Sequence, residues 1–263
     1  MKMLSKISLL GLAGLSTMAI AGGPDMMPCP PAPMNQTGIY VGLGGSYNTI
    51  QDSFKGFTSW YTPNTTDNIK EYTSDYIANS QTFAPMGQIG YFQHFQGSNW
   101  FMGAKFLYQY LNDQSIQGNN INSQTGTTDG TYTWYATVDH ELALMPYWGR
   151  SFDSAMVYLG FGPALLGVTQ SAGSTTPNTD YPYKNVFNNS EWMWGGAVQL
   201  GASWYFNPTW YLAGDYTYAV TGRYGFDGSW TDRTVSTQTD NLTDNRRVIV
   251  QSLGLSINKV WNV

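Results

Sequence analysis

The chain has 263 residues, of which 42% are hydrophobic, 16% aromatic and 11% charged, and its formal net charge is -5. An average soluble domain carries about 25% charged residues, so this chain is poor in charge and rich in aromatic side chains. Such a composition excludes a largely disordered chain. The acidic balance argues against nucleic acid as a partner. The sequence has no run of about 18 apolar residues, which excludes a helical membrane protein.

The N-terminal segment has the pattern of an export signal. Lys2 and Lys6 precede an apolar run over residues 7–20, and Ala19-Ile20-Ala21 has the small-x-small form of a cleavage site. We therefore predict a signal peptide over residues 1–21. Residues 22–36 contain five prolines and are predicted to form an extended linker after export, before a single folded domain over residues 37–263.

The single cysteine of the chain, Cys29, lies in this proline-rich segment. It has no second cysteine with which to form an intramolecular disulfide, so the fold is not a disulfide scaffold. We interpret Cys29 as an unpaired thiol in the linker.

Period-two alternation recurs beyond residue 37, whereas helical periodicity is scarce. Each of eight segments is near or above the ~9–11 residues that a tilted strand needs to cross a bilayer. The predicted strands are 38–48, 83–95, 100–111, 132–149, 155–168, 191–206, 210–220 and 247–261.

The connections between these strands alternate in length. Three are short, around 96–99, 150–154 and 207–209. Four are long and rich in Asn, Thr, Ser, Gly and Asp, at about 49–82, 112–131, 169–190 and 221–246. Outer-membrane barrels have short periplasmic turns and long extracellular loops. The sequence therefore predicts an all-β, eight-stranded antiparallel up-and-down transmembrane β-barrel with four long extracellular loops.

The two faces of the predicted strands differ in character. In the sixth strand Trp194, Val198 and Leu200 alternate with Gly195 and Gln199. The polar set is too small to shield a water-facing exterior, so we place the large apolar face in lipid and the small polar face in the lumen. A secreted soluble barrel or sandwich is the alternative. Tryptophans near the ends of the apolar face are predicted membrane-interface residues: Trp100, Trp148, Trp194, Trp204, Trp210 and Trp261.

Four charged residues lie well inside predicted strands, all on the polar face: Lys105, Asp139, Glu141 and Asp215. They are predicted to form a charge cluster in the lumen. One interpretation is a gate for small solutes, and the other is a structural ion-pair plug. The narrow interior of an eight-stranded barrel favours the plug.

Catalytic and metal-binding patterns are sparse. The chain has two histidines, His94 and His140, and no Gly-x-Ser-x-Gly. Asp139 and His140 are adjacent, and neighbouring residues of a strand point to opposite faces unless a bulge intervenes. We therefore predict no enzyme activity, no catalytic residues, no metal site and no cofactor.

The opening strand GIYVGLGGSY (residues 38–47) and the closing SLGLSI (residues 252–257) resemble those of small Gram-negative outer-membrane β-barrels. These are the OmpA-transmembrane, OmpX and opacity-type surface-antigen families. The resemblance implies an outer-membrane location, contact with membrane lipid and lipopolysaccharide, and a host or surface ligand bound through the loops.

The leading functional hypothesis is a structural barrel that presents surface loops for adhesion or for host or envelope interaction. The alternative is a narrow, porin-like pore for small solutes. A barrel of ten or more strands, with an additional hairpin around Phe54–Tyr61 or Tyr224–Trp230, and an outer-membrane enzyme are further alternatives.

Overall fold

The computed structural model describes residues 37–61, 69–121, 130–175, 185–231 and 239–263. The predicted signal peptide, the linker and Cys29 lie outside the described residues. Within the described ranges, no helix combines the length and apolar character needed to cross a membrane. The regular structure consists of nine strands: β1 (Gly38–Tyr61), β2 (Ile69–His94), β3 (Trp100–Ile121), β4 (Gly130–Phe152), β5 (Ala155–Thr175), β6 (Asn185–Asn207), β7 (Trp210–Thr221), β8 (Tyr224–Thr231) and β9 (Thr239–Asn262).

The strands form a closed antiparallel barrel in the order β1-β2-β3-β4-β5-β6-β7-β9, and β9 pairs back onto β1. Strand β8 also pairs with β9, directly beyond the β7 pairing. Strands β7 and β8 therefore occupy the same position in the barrel, one after the other along β9. The barrel counts as eight-stranded for this reason. The predicted eight-stranded up-and-down barrel is confirmed. Phe54–Tyr61 belongs to β1 and Tyr224–Trp230 to β8, so neither forms an additional membrane hairpin.

The three short connections are tight turns, as predicted. Gly97, between β2 and β3, has a φ of 72°, and Asp153, between β4 and β5, has a φ of 41°. A left-handed backbone is common for Gly and tolerated by Asp, which suits both residues to these positions. Between β6 and β7, Asn207 Oδ1 accepts a hydrogen bond from the backbone nitrogen of Thr209 at 2.9 Å.

Much of the sequence predicted as long loops is instead paired strand. The β1–β2 ladder runs on to Tyr61↔Ile69, and the β3–β4 ladder to Ile121↔Gly130. The prediction read polar composition as loop, but a strand that has left the lipid does not need an apolar outer face. The remaining parts of these connections, 62–68, 122–129, 176–184 and 232–238, lie outside the described residues.

The barrel is fully paired at the end with the short turns and divides towards the other end. The β2–β3 ladder covers Met86–His94, and the β6–β7 ladder begins at Gly195↔Thr221. Beyond these points the ladders run within two four-stranded sheets, β8-β9-β1-β2 and β3-β4-β5-β6. Side chains bridge the base of each division: Thr82 Oγ1 donates to the Leu111 carbonyl at 3.4 Å, and the Trp194 nitrogen donates to the Tyr224 hydroxyl at 2.6 Å.

The inward and outward faces follow the predicted parity. On β6, Trp194 and Leu200 are 62% and 61% exposed on the outside, whereas Met193 and Gln199 are 0% and 1% exposed on the inside. Trp194 and Leu200 therefore point away from the barrel centre, as predicted.

The interior is more apolar than predicted. A central cluster of buried aliphatic residues includes Leu107, Met145, Leu166, Met193 and Val250. The prediction underestimated these buried aliphatic residues because the outward-facing side chains are larger and more apolar. Compared with them, the inward-facing side chains seemed polar. The lumen thus contains a packed core of its own.

One section of the wall between β4 and β5 has no paired residues. The ladder stops at Ala143↔Ala164 and resumes in the same register at Tyr147↔Gly160. Pro146 and Pro163 lie in this gap, and proline has no backbone N–H to donate to a ladder.

Candidate functional site

A buried ion pair lies in the lumen towards the turn end of the barrel. Lys105 Nζ on β3 is 3.3 Å from Asp215 Oδ1 on β7, and the two side chains are 0% and 2% exposed. The Tyr158 hydroxyl on β5 donates to the same carboxylate oxygen. Lys105 Nζ also lies 4.9 Å from the centroid of the Tyr158 ring. The barrel thus surrounds one ammonium with a carboxylate and an aromatic face, which offset its loss of hydration.

Aromatic rings fill the lumen below this pair. The ring centroids of Tyr40 and Tyr211 are 5.7 Å apart, and those of Tyr147 and Tyr158 are 5.3 Å apart. Gly90 leaves room for one of these rings, since a Cβ there would come within 2.6 Å of the Tyr40 ring. We call the group the lower aromatic cluster, and its rings are Tyr40, Phe92, Phe101, Tyr147, Tyr158 and Tyr211.

Glu141 lies in a separate polar network higher in the lumen. It is 0% exposed, and Gln109 Nε2 lies 3.5 Å from its Oε2. Gln109 also accepts a hydrogen bond from the Ser46 hydroxyl. Lys105 and Gln109 are four residues apart on β3, which corresponds to about 13 Å along a strand. The structure therefore places Glu141 with amides and hydroxyls, apart from the Lys105–Asp215 pair.

A bulge separates Asp139 from the other predicted lumen charges. The β4–β5 register shifts between Val138 and His140, so that Val138 and Glu141 are both buried. Asp139 Oδ2 instead accepts a hydrogen bond from Thr169 Oγ1 at 2.7 Å. Strict alternation predicts Asp139 and Glu141 on one face. The bulge adds one residue to the strand, so the two side chains no longer share a face.

His140 lies next to this bulge in an aromatic stack across three strands. Its Nδ1 is 3.1 Å from the Tyr108 hydroxyl on β3, and its ring stacks on Trp192 of β6 with centroids 5.8 Å apart. Gly167 of β5 lies between the two rings, where a Cβ would contact both. The glycine allows rings from β4 and β6 to meet over β5.

A second buried ion pair lies towards the divided end of the barrel and was not predicted. Arg246 Nη1 on β9 is 3.2 Å from Asp52 Oδ2 on β1, with side chains 1% and 3% exposed. The guanidinium also lies 5.1 Å from the Phe54 ring centroid. Both charged residues were assigned to long loops. Alternation of inward and outward residues continues beyond the predicted strand, and Ile50, Asp52 and Phe54 are all buried. This pattern would have identified the strand.

A serine and a histidine meet at the turn end. His94 Nε2 is 2.6 Å from Ser151 Oγ, and the His94 ring packs against Phe101 with centroids 5.2 Å apart. Ser151 is 7% exposed. The sequence carried no sign of this contact, because 57 positions separate the two residues. A hydroxyl bonded to an imidazole is the first element of a nucleophile–base pair, although many such contacts are structural.

The six tryptophans predicted at the membrane interface all point outward and are 37–62% exposed. Cations accompany two of those near the short turns: Arg150 Cζ is 5.9 Å from the Trp100 ring centroid, and Lys259 Nζ is 5.1 Å from that of Trp210. Aromatic rings with flanking cations are typical of a membrane boundary. In the described part of the chain, no three His, Cys, Asp or Glu residues are grouped so that they could hold a metal ion.

Comparisons with known proteins bear on the fold. No protein-family model matches the chain, and no curated protein matches it. The solved structure of the outer membrane protein OprG from Pseudomonas aeruginosa is similar with a TM-score of 0.50 and 11% identity, covering 87% of this chain and 98% of OprG. The outer membrane protease OmpT from Escherichia coli has a TM-score of 0.45 and 8% identity, covering 85% of this chain and 97% of OmpT. Ail, the attachment invasion locus protein of Yersinia pestis, has a TM-score of 0.28 and 10% identity, covering 78% of this chain and 97% of Ail. The likeness to OprG shows that the fold is that of the small outer-membrane β-barrels.

The Lys105–Asp215 pair yields a testable prediction on stability. Lys105→Met or Asp215→Leu alone leaves the other charge buried without its partner, which typically costs about 3–5 kcal/mol. The double variant removes both charges and should be closer to the wild type than either single variant. Urea unfolding of the refolded barrel in detergent measures all four proteins. Additive losses in the double variant would contradict a coupled pair.

Proposed function

We propose that the protein is a closed, non-catalytic barrel of the outer membrane that holds extended hairpins above the lipid for adhesion or for contact with a host or envelope partner. One observation carries the proposal: the lumen is filled by side chains, while the strands continue far beyond the apolar outer band. A barrel built in this way presents a surface and offers little internal passage.

The filled lumen argues against an open pore. Buried side chains occupy its turn end, its middle and its divided end, with the lower aromatic cluster, the central aliphatic residues and the Arg246–Asp52 pair at successive heights. Eight strands enclose an interior just wide enough for side chains to fill. Opening a water path would separate ion pairs that are almost fully buried, and an unpaired charge in such a place is strongly unfavourable.

The outer face of β1 shows where the lipid contact ends. Its outward residues are apolar from Ile39 to Tyr47, with Gly45 among them, and then become polar up to Lys55. Nine strand residues span about 30 Å along a tilted strand, enough for the roughly 25 Å apolar band of such barrels. Residues 49–61 add about 40 Å of strand. The β1–β2 hairpin therefore extends well above the lipid.

We expect the purified protein to show no steady ion conductance in a planar lipid bilayer, because the lumen is filled. A different protein of known pore activity, added to the same bilayer, is the positive control. Lys105→Ala is the companion variant. Steady conductance in the wild type that changes in Lys105→Ala would show that ions pass through the lumen, and the pore would then replace this proposal.

We expect the two ends of the barrel to lie on opposite sides of the membrane. A short epitope tag inserted between Tyr61 and Ile69 should bind antibody on intact cells. The same tag inserted after Gly97, in the β2–β3 turn, should bind only after the outer membrane is permeabilised. Both variants must first show the heat-dependent gel mobility of a folded barrel. Labelling of the Gly97 insertion alone on intact cells would reverse the topology.

The Ser151–His94 contact favours a hydrolase as the second candidate function. Its location beside packed aromatic rings supports a structural role, in which the partly buried imidazole of His94 pairs with the buried Ser151 hydroxyl. We expect a serine-reactive fluorophosphonate probe to leave Ser151 unlabelled in the folded protein, as judged by mass spectrometry. Labelling in the wild type that is lost in Ser151→Ala, with Ser154→Ala as the control, would support the enzyme and contradict the proposal.

A further inference from the structure

The charges that are buried in the described part of the barrel do not balance. Three buried side chains there are carboxylates and two are cations: Asp52, Glu141, Asp215, Lys105 and Arg246. Lys105 lies 3.3 Å from Asp215, and Arg246 lies 3.2 Å from Asp52. Each of these cations thus has a carboxylate of its own. Glu141 is the carboxylate that remains, so the described interior holds one negative charge that its buried cations do not offset.

Neutral polar side chains surround Glu141. Asn48 Nδ2 donates a hydrogen bond to Ser46 Oγ at 2.9 Å, and the Ser46 hydroxyl donates to Gln109 Oε1. Gln109 Nε2 in turn lies 3.5 Å from Glu141 Oε2 and 3.5 Å from Ser252 Oγ. A single amide therefore joins the carboxylate on β4 to groups on β1 and β9. We call these residues the polar belt, and each is at most 3% exposed: Ser46, Asn48, Gln109, Glu141 and Ser252.

The polar belt lies between the two ion pairs and belongs to neither. Gln109, which pairs with Glu141 in the β3–β4 ladder, is four residues from Lys105 on β3. Asn48 is four residues from Asp52 on β1. Four residues correspond to about 13 Å along a strand. The Glu141 carboxylate is therefore separated from both buried cations.

Two oxygen atoms of the polar belt accept no hydrogen bond in the described structure. They are Glu141 Oε1 and Asn48 Oδ1, and both side chains are 0% exposed. An ionised carboxylate that is removed from water and receives a single contact of 3.5 Å is strongly unfavourable. A bound positive ion that accepts oxygen ligands would satisfy both oxygen atoms and the unbalanced charge together.

We propose that the polar belt binds a sodium ion, with the Glu141 carboxylate and the Asn48 side-chain carbonyl as its principal ligands. Carboxylate, amide and hydroxyl oxygens are hard ligands that suit ions of this kind. One carboxylate balances one positive charge, whereas Ca²⁺ would leave an excess of positive charge in the interior and takes about six to eight oxygen ligands. The sequence prediction of no metal site considered histidine and cysteine patterns, and a site of amide and hydroxyl oxygens displays neither.

The experiment measures the unfolding temperature of the full-length barrel in detergent by heat-dependent gel mobility. The protein is refolded and heated at constant pH in mixtures of sodium chloride and tetramethylammonium chloride of constant total concentration. The tetramethylammonium ion is too large to sit between packed side-chain oxygens. We expect the wild type to gain a few degrees for each tenfold increase in sodium concentration, because a ligand that binds only the folded state stabilises it by mass action.

Glu141→Gln tests the carboxylate itself. This variant buries no unbalanced charge, so without sodium it should unfold at a higher temperature than the wild type, and added sodium should not raise that temperature. The matched control is Glu191→Gln, which removes an exposed carboxylate on β6 and should respond to sodium as the wild type does.

Three outcomes would overturn the proposal. One is a wild-type unfolding temperature that does not depend on sodium, which can be measured even if Glu141→Gln fails to fold. Another is an equal sodium response in Glu141→Gln. The third is a wild type that ignores sodium but loses stability as the pH is raised, while Glu141→Gln does not, since a proton would then neutralise Glu141.

Discussion

The structure depends on one constraint, which is that every backbone polar group inside a lipid layer must find its partner within the protein. A closed ring of strands meets this requirement, and here β9 pairs with β1 over the whole length of both strands. Successive residues of a strand point to opposite faces, and closure places one of these faces in lipid and the other in the lumen. The exposed Trp194 and the buried Met193 are adjacent residues with opposite surroundings for this reason alone.

The alternation made much of the fold predictable from sequence. Eight barrel strands, three tight turns and the outward tryptophans followed from it, because lipid contact selects large apolar residues at every second position. The parity also brought Lys105 and Asp215 to the same face, and the structure joins them at 3.3 Å. The sequence did not predict which of the inward charges would meet. Two inward residues meet only if they lie at the same height, and this depends on the stagger between strands, which the sequence of a single strand does not determine.

Two kinds of error have physical causes. Asp139 left the expected face because a bulge between Val138 and His140 inserts one residue, and a bulge changes the face without changing composition. The Arg246–Asp52 pair was missed because polar composition was interpreted as loop. Above the lipid, a strand is stabilised by ladder hydrogen bonds and by its inward residues, so its outer face is free to be polar. Composition therefore marks the lipid boundary and not the end of the strand.

The two ends of the barrel differ because they meet different demands. At the turn end, the ladders close the ring of eight strands apart from the proline-containing gap between β4 and β5, and the lower aromatic cluster fills the interior. Towards the other end the ladders divide into two four-stranded sheets, each of which must be held by its own hydrogen bonds and by side chains across the gap, such as Tyr224 against the Trp194 backbone. The Arg246–Asp52 pair joins β9 to β1 within one sheet, whereas Thr82 and Tyr224 make contacts from one sheet to the other at the base of each division. Above these contacts the ladders run on within the two separate sheets, an arrangement compatible with the surface role proposed above.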